Sequence, residues 1–146
     1  MRSFVLFTLI LALPAFAAPA ATKIELTTGS TKSKDDMVYS KDRLTAKAGS
    51  RVSISFKNGS ASKGMIRNFV LVKPGTTQAV IDASVAAGPE KGWVADSSDI
   101  LVKGKLLDAG ESDTIEFTAP ATPGDYPYLC TFPGHATMRG ILKVTK

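Results

Sequence analysis

The stretch DYPYLCTFPGHATMRGILKV, residues 125–144, reads as a strand, a loop and a second strand. On the first strand Tyr126, Tyr128 and Cys130 alternate onto one face. Thr131-Phe132-Pro133-Gly134 is a turn by composition. His135 follows, then Ala136, Thr137 and Met138, and Gly140 opens the last strand. Cys130 is the only Cys of the chain and His135 its only His. Such a loop can curl a thiolate, an imidazole and a thioether round one point. That soft set suits copper and does not suit magnesium or calcium. Taken singly, each residue has a plainer reading. A lone Cys is often a small buried apolar side chain, a lone His a hydrogen-bonded structural residue, and a Met near a strand end core filler. Their convergence in one turn is the argument for a metal.

Outward from this loop the chain reads as β-rich. RVSISFK, residues 51–57, alternates cleanly: Val52, Ile54 and Phe56 face one way, Arg51, Ser53, Ser55 and Lys57 the other. DTIEFTA repeats the pattern with Ile115 and Phe117. KIELTT, RLTAKAG, RNFVLVK, DYPYLCT and GILKVTK are further strand candidates. Turn signals separate them at Lys57-Asn58-Gly59, Pro74-Gly75, Gly110, Pro123-Gly124 and Pro133-Gly134. TTQAVIDASVAAG breaks the pattern, with Val80, Ile81 and Val85 at helical spacing between Pro74-Gly75 and Gly88-Pro89; it predicts a short helix. PEKGWVADSSD, with the lone Trp93, reads as an irregular crossing. Seven or so short strands with frequent turns predict a β-sandwich or small barrel. No internal repeat or low-complexity linker divides the chain, so one domain is expected.

The 146-residue chain opens MRSFVLFTLILALPAFAAPA. A basic start at Arg2, an apolar run from Phe4 to Leu13 and small residues around Ala15-Phe16-Ala17 and Ala18-Pro19-Ala20 form the layout of a cleaved secretory signal. The run is short for a membrane span of ~20 residues, and Pro14 interrupts it. Residues 1–20 are thus expected to be a signal peptide, residues 21–146 the exported domain, and the location periplasmic or secreted. A single thiol in an oxidising compartment forms no disulfide within the chain, so it is expected to be buried, metal-bound or reactive. The formal charge is +5. The lysines are scattered and not interleaved with aromatics, which argues against nucleic-acid binding.

CTFPGH within this setting resembles the copper loop of the cupredoxins, the type 1 blue copper proteins, and of the azurin type among them. DYPYLCTFPGH…MRGILKV is similar to the family's last two strands, GKLLDAGESDTIEF to the strand pair before them, and MIRNFVLV to the first copper-ligand segment. KDDMVYSKDRLTAKAGSRVSISFKN is similar to the N-terminal strands. The likeness runs from about Lys23 to Lys146. It implies an all-β Greek-key sandwich of about seven to eight strands, with one short helix in an insertion around 76–88. It also implies copper, cycling between Cu(I) and Cu(II). Cys130 would be the thiolate ligand, His135 the surface-facing imidazole and Met138 the axial thioether. Asn68 would tie the first-ligand segment to the Cys loop near Thr131. Redox partner proteins would dock beside His135 on an apolar rim of Phe132, Pro133 and Met65, and the protein would be a monomer.

Two departures qualify that implication. The family carries a second His immediately before the Asn, and here that position is Arg67. A guanidinium stays protonated and offers no lone pair. Two like unit charges ~4 Å apart at an effective dielectric of ~20 cost about 4 kcal/mol. Arg67 is therefore expected to swing out, or the metal to bind weakly. The His-to-Met spacing is also shorter, with only Ala136 and Thr137 between, where azurin-type loops have three residues. Ile66 stands where azurins place a Gly whose carbonyl approaches the metal.

Three readings follow. An electron carrier is supported by fold, export and loop and opposed by Arg67. A Cu(I)-handling or metal-free partner-binding domain would use Cys130, His135 and Met138 alone, with Arg67 donating into the site. Cys–His catalysis lacks a third group to orient the base, and no paired carboxylates or phosphate loop point to another chemistry, so no enzyme is expected.

Overall fold

The computed structural model describes residues 20–146, so the signal expected over 1–20 lies outside the described residues except for Ala20. The alternation of RVSISFK becomes strand β3, Arg51–Lys57. Its apolar face is sealed: Val52, Ile54 and Phe56 are all buried. Each such side chain contributes about 1.5–3 kcal/mol on burial. Strand β1, Thr22–Thr27, lies parallel to β3 with Ile24 opposite Ile54. Strand β6, Ser112–Thr118, lies antiparallel on the other side with Ile115 opposite the same residue. These three form one sheet in the order β1-β3-β6.

The second sheet has the order β2-β8-β7-β4-β5. Its strands are β2 (Arg43–Lys47), β4 (Val70–Val72), β5 (Ile100–Lys103), β7 (Gly124–Leu129) and β8 (Arg139–Thr145). Consecutive strands β2 and β3 fall in different sheets, as do β6 and β7, so the chain crosses the sandwich repeatedly. Between the sheets lies the main core, which includes Leu26, Leu44, Ile54, Phe56, Phe69, Leu71, Tyr128 and Leu142. Among the described residues, eight strands in two sheets with one α-helix match the architecture expected for the family.

The outer face of the second sheet carries its own apolar cluster. Along β4, Leu71 points into the main core while Val70 and Val72 join the outer cluster with Leu129. A strand buried on both faces needs a cover on each. Helix α1, Thr77–Ala87, supplies the outer one with Val80 and Ile81. The predicted helical span is confirmed, but its third buried residue is Ser84, not Val85, which is 43% exposed. The Ser84 hydroxyl accepts the Ala95 N–H at 3.1 Å, which pins the return crossing to the helix.

Two strand boundaries differ from the sequence pattern. RNFVLVK predicts a strand from Arg67, whereas β4 begins at Val70 and Arg67 makes only an isolated antiparallel bridge to Leu107. Side chains take the place of a ladder there: Asn58 Nδ2 donates to the carbonyls of Met65 and Leu107, and Tyr39 donates to that of Asn68. GKLLDAG holds only that bridge. The strand before β6 is instead Ile100–Lys103, which pairs antiparallel with β4.

Candidate metal centre

Strand β7 delivers Cys130 to one end of the sandwich. Tyr126, Tyr128 and Cys130 all belong to the main core, as their alternation predicts, and Leu129 between them faces outward. The loop beyond is held by its own backbone. Cys130 N–H donates to Met138 O at 3.1 Å, His135 N–H to Phe132 O at 3.0 Å, and Met138 N–H to His135 O at 2.8 Å. Gly134 sits at φ 82°, the left-handed conformation that a turn of this kind requires of it. These bonds fold the loop back so that its two ends meet across the start of β8.

The second support comes from Asn68. Its Oδ1 accepts the Thr131 N–H at 2.9 Å and its Nδ2 donates to Thr131 Oγ1 at 2.8 Å. Asn68 and Thr131 are both buried. The Asn68 carbonyl in turn accepts the Tyr39 hydroxyl at 2.7 Å. Segment 65–69 and the Cys loop are thus joined by side-chain bonds that bypass residue 67 altogether.

Inside this frame the Cys130 Sγ lies 3.6 Å from His135 Nδ1. Bonds of about 2.3 Å to sulfur and about 2.0 Å to imidazole separate two donors on one borderline ion by roughly 3.6 Å. The pair therefore fits a shared metal. Met138 is fully buried in the same cluster as Cys130. Among the described residues no three His, Cys, Asp or Glu side chains group to hold a metal.

Arg67 departs from expectation. It does not swing out: its side chain is 0% exposed and turned inward. Nη1 lies 3.2 Å from both Nδ1 and Nε2 of His135. The two lone-pair directions of an imidazole diverge, so one nitrogen equidistant from both sits across the ring and not in line with either. Nη1 also donates to Ile66 O at 3.3 Å and Nη2 to Asp35 O at 3.2 Å, while Nε is buried without a partner. Asp35 offers only its carbonyl, because its carboxylate accepts from Ala61 N, Ser62 N and Ser62 Oγ. A buried cation thus faces neutral acceptors and an imidazole. Nothing in the pattern KSKDDMVYS marked Asp35 for this contact.

The charges follow from this packing. Burial pushes the Arg67 pKa below its ordinary value, offset in part by Cys130 and Asp35. Burial pushes the Cys130 thiol up, while the backbone amides of Asn68 and Phe132 and the Arg67 charge pull it down. His135 is pushed down by burial first and by the Arg67 charge second, which leaves a neutral ring with a lone pair to give. Tyr39 is pushed well above its usual range by burial, so its phenol remains a donor.

The rim is partly apolar. Met65, Ile66, Phe132 and Pro133 are half-buried around the loop, and His135 keeps 8% of its surface. Trp93, read from sequence only as part of a crossing, reaches this rim and packs edge-on against Phe132 at 6.0 Å. The fact that this was the lone Trp carried no spatial signal.

The model of copper binding proteins of the plastocyanin/azurin family matches residues 25–145. Auracyanin-A of Chloroflexus aurantiacus is 40% identical over 114 residues, spanning 75% of this chain and 68% of that protein. Azurin-1 of Alcaligenes xylosoxydans xylosoxydans is 32% identical over 117 residues, spanning 75% of this chain and 91% of its own. The dithionite-reduced auracyanin of Roseiflexus castenholzii superposes with a TM-score of 0.76 at 34% identity, covering 88% of this chain and 100% of its own.

Proposed function

Because the chain belongs to the plastocyanin/azurin family of copper-binding proteins, we propose that it is an exported electron-transfer protein of auracyanin and azurin type. In this reading its copper affinity is lowered by Arg67. Cys130 and His135 are the ligands and Met138 the axial donor. The observation that carries the reading is the 3.6 Å approach of the thiol sulfur to the imidazole nitrogen, inside a frame locked by Asn68. Copper, when bound, supplies a one-electron couple. The chain's own residues supply the rest. The Asn68–Thr131 bonds fix the loop that holds the donors, and little movement on electron exchange follows from that rigidity. The neutral His135 ring gives its lone pair and keeps a surface edge. Half-buried Phe132, Pro133 and Met65 offer redox partner proteins an apolar landing beside it. Residues 1–20 direct the chain to the periplasm or beyond, where it acts as a monomer.

Arg67 sets the difference from an ordinary type 1 centre. It holds the place of the second imidazole and brings a positive charge. Repulsion of about 4 kcal/mol for each ionic charge at ~4 Å falls twice as heavily on Cu(II) as on Cu(I). A soft, two-sulfur donor set favours the monovalent ion as well. The inward guanidinium therefore also favours a second reading, a Cu(I)-holding domain that does not cycle.

Addition of Cu(II) to the purified protein separates the two by its visible spectrum. The electron-transfer reading expects an intense thiolate-to-copper band, faint in the parent because of Arg67 and strong in Arg67→His. A parent that stays colourless and yet takes Cu(I) from a competing chelator supports the second reading. A colourless Arg67→His variant shows that residue 67 does not occupy the ligand position.

A further inference from the structure

We propose that Trp93 is a positioning residue for the metal centre, holding the His135 ring in place through Phe132. The inference rests on His135 being a ligand, as argued above. The His135 ring has Arg67 Nη1 across one side and the Phe132 ring, 5.1 Å away and tilted by 43°, on another. Phe132 is itself half-buried and meets Trp93 in a perpendicular contact at 6.0 Å and 75°. His135, Phe132 and Trp93 therefore form a row from the donor pair out to the insertion that carries helix α1.

Trp93 occupies an uncommon backbone conformation. Its φ is 55°, next to Gly92 at 59°, so two successive residues are left-handed. Glycine adopts this readily, while a bulky residue there is held by its surroundings. The Trp93 N–H donates to Gly88 O at 3.0 Å, just past the end of α1, and the following Val94 and Ala95 are buried. The backbone is thus fixed so as to aim the indole at the metal loop. A metal-ligating His ordinarily gives its other N–H to a dedicated acceptor. Here the neighbouring Ile66 carbonyl accepts from Arg67 Nη1. Aromatic packing against Phe132 constrains the ring on that side.

The chain has a single His, so its imidazole proton signals in an NMR spectrum belong to His135 alone. The variants to compare are Trp93→Ala, Trp93→Leu, Trp93→Phe and Ser84→Ala. The last loosens the insertion without touching Phe132. In the metal-free protein, Trp93→Ala and Trp93→Leu are expected to broaden the His135 signals and move them toward random-coil positions. Trp93→Phe restores them, and Ser84→Ala leaves them at the parent positions. With silver(I) as the probe ion, Trp93→Leu is expected to release the metal about tenfold faster, the scale of an outer-shell partner. Parent-like imidazole signals in Trp93→Leu, or an equal change in Ser84→Ala, overturn the proposal. Silver failing to bind the parent counts against the ligand reading, while the metal-free signals still decide the role of Trp93.

Discussion

The two chain segments that meet at the end of the sandwich make opposite use of the same frame. The Cys loop, 130–138, buries the side chains of Cys130, His135 and Met138. Its thiol and imidazole face each other, its thioether is buried, and its backbone closes on itself through three hydrogen bonds. The facing segment, 65–69, keeps the frame and changes the content. Asn68 grips Thr131 and Tyr39 grips Asn68, yet the neighbouring side chain is a guanidinium that gives no lone pair. The difference teaches that the shape of this centre and its coordination are separate properties. Shape is written in Asn68, Thr131, Tyr39 and the loop amides. The candidate donors are Cys130, His135 and Met138, beside Arg67, which offers no lone pair.

That separation can be broken at its strongest point first. Asn68→Ala leaves the Thr131 amide and hydroxyl without partners in the interior, each omission costing about 1–3 kcal/mol. A loss of about 3 kcal/mol in urea unfolding is expected, whatever residue stands at 67. A loss below about 1 kcal/mol would mean that shape does not depend on this bridge.

Arg67→Met sharpens the comparison from the other side. It replaces a buried charge, whose Nε has no partner, with an apolar side chain of similar length. Such replacements are neutral or stabilising by 1–4 kcal/mol. A gain of about 1 kcal/mol is expected in the metal-free protein, read by the same unfolding curves. The Cys130–His135 frame is expected to persist, seen as imidazole NMR signals unchanged apart from the lost charge of their neighbour. A destabilised Arg67→Met would show that the guanidinium is part of the shape as well.

The smallest effect is in pH. The folded pKa of His135 lies below its usual value because burial and Arg67 disfavour the imidazolium. The unfolded chain therefore binds the proton first as pH falls. Stability is complete above the unfolded pKa of about 6.5 and declines as pH drops toward the folded value. Tm is expected to fall modestly between about pH 7.5 and about pH 5 in the parent, and to fall less in His135→Gln, since no other imidazole is present. A parent whose Tm is flat over this range would contradict the burial of the ring. Arg67→Met is expected to shrink the slope, because one of its two causes is removed.

Much of the fold was legible locally. RVSISFK announced its buried face residue by residue, and RNFVLVK marked a strand, though its cover on both faces came only from the structure. The helix was legible in extent but not in its buried face, because Val85 and Ser84 differ by one position and only the crossing through Ala95 decides which turns inward. The ladder that RNFVLVK promised was not legible in its start, since Asn58 and Tyr39, distant in sequence, take over the backbone groups that a ladder would use.

By itself, the sequence determined the side-chain inventory: one thiol, one imidazole and a thioether in a single loop, and a guanidinium at residue 67. Side-chain chemistry is local, and no fold can add a lone pair to Arg67. Only the tertiary structure decided where that cation goes. The pattern alone favoured an outward side chain, since a charge prefers water. The packed neighbours of Arg67, with carbonyls at Ile66 and Asp35 and a neutral ring at His135, hold it inside instead. Those acceptors come from three separate stretches of the chain, and their meeting is a property of the sandwich and not of any one segment.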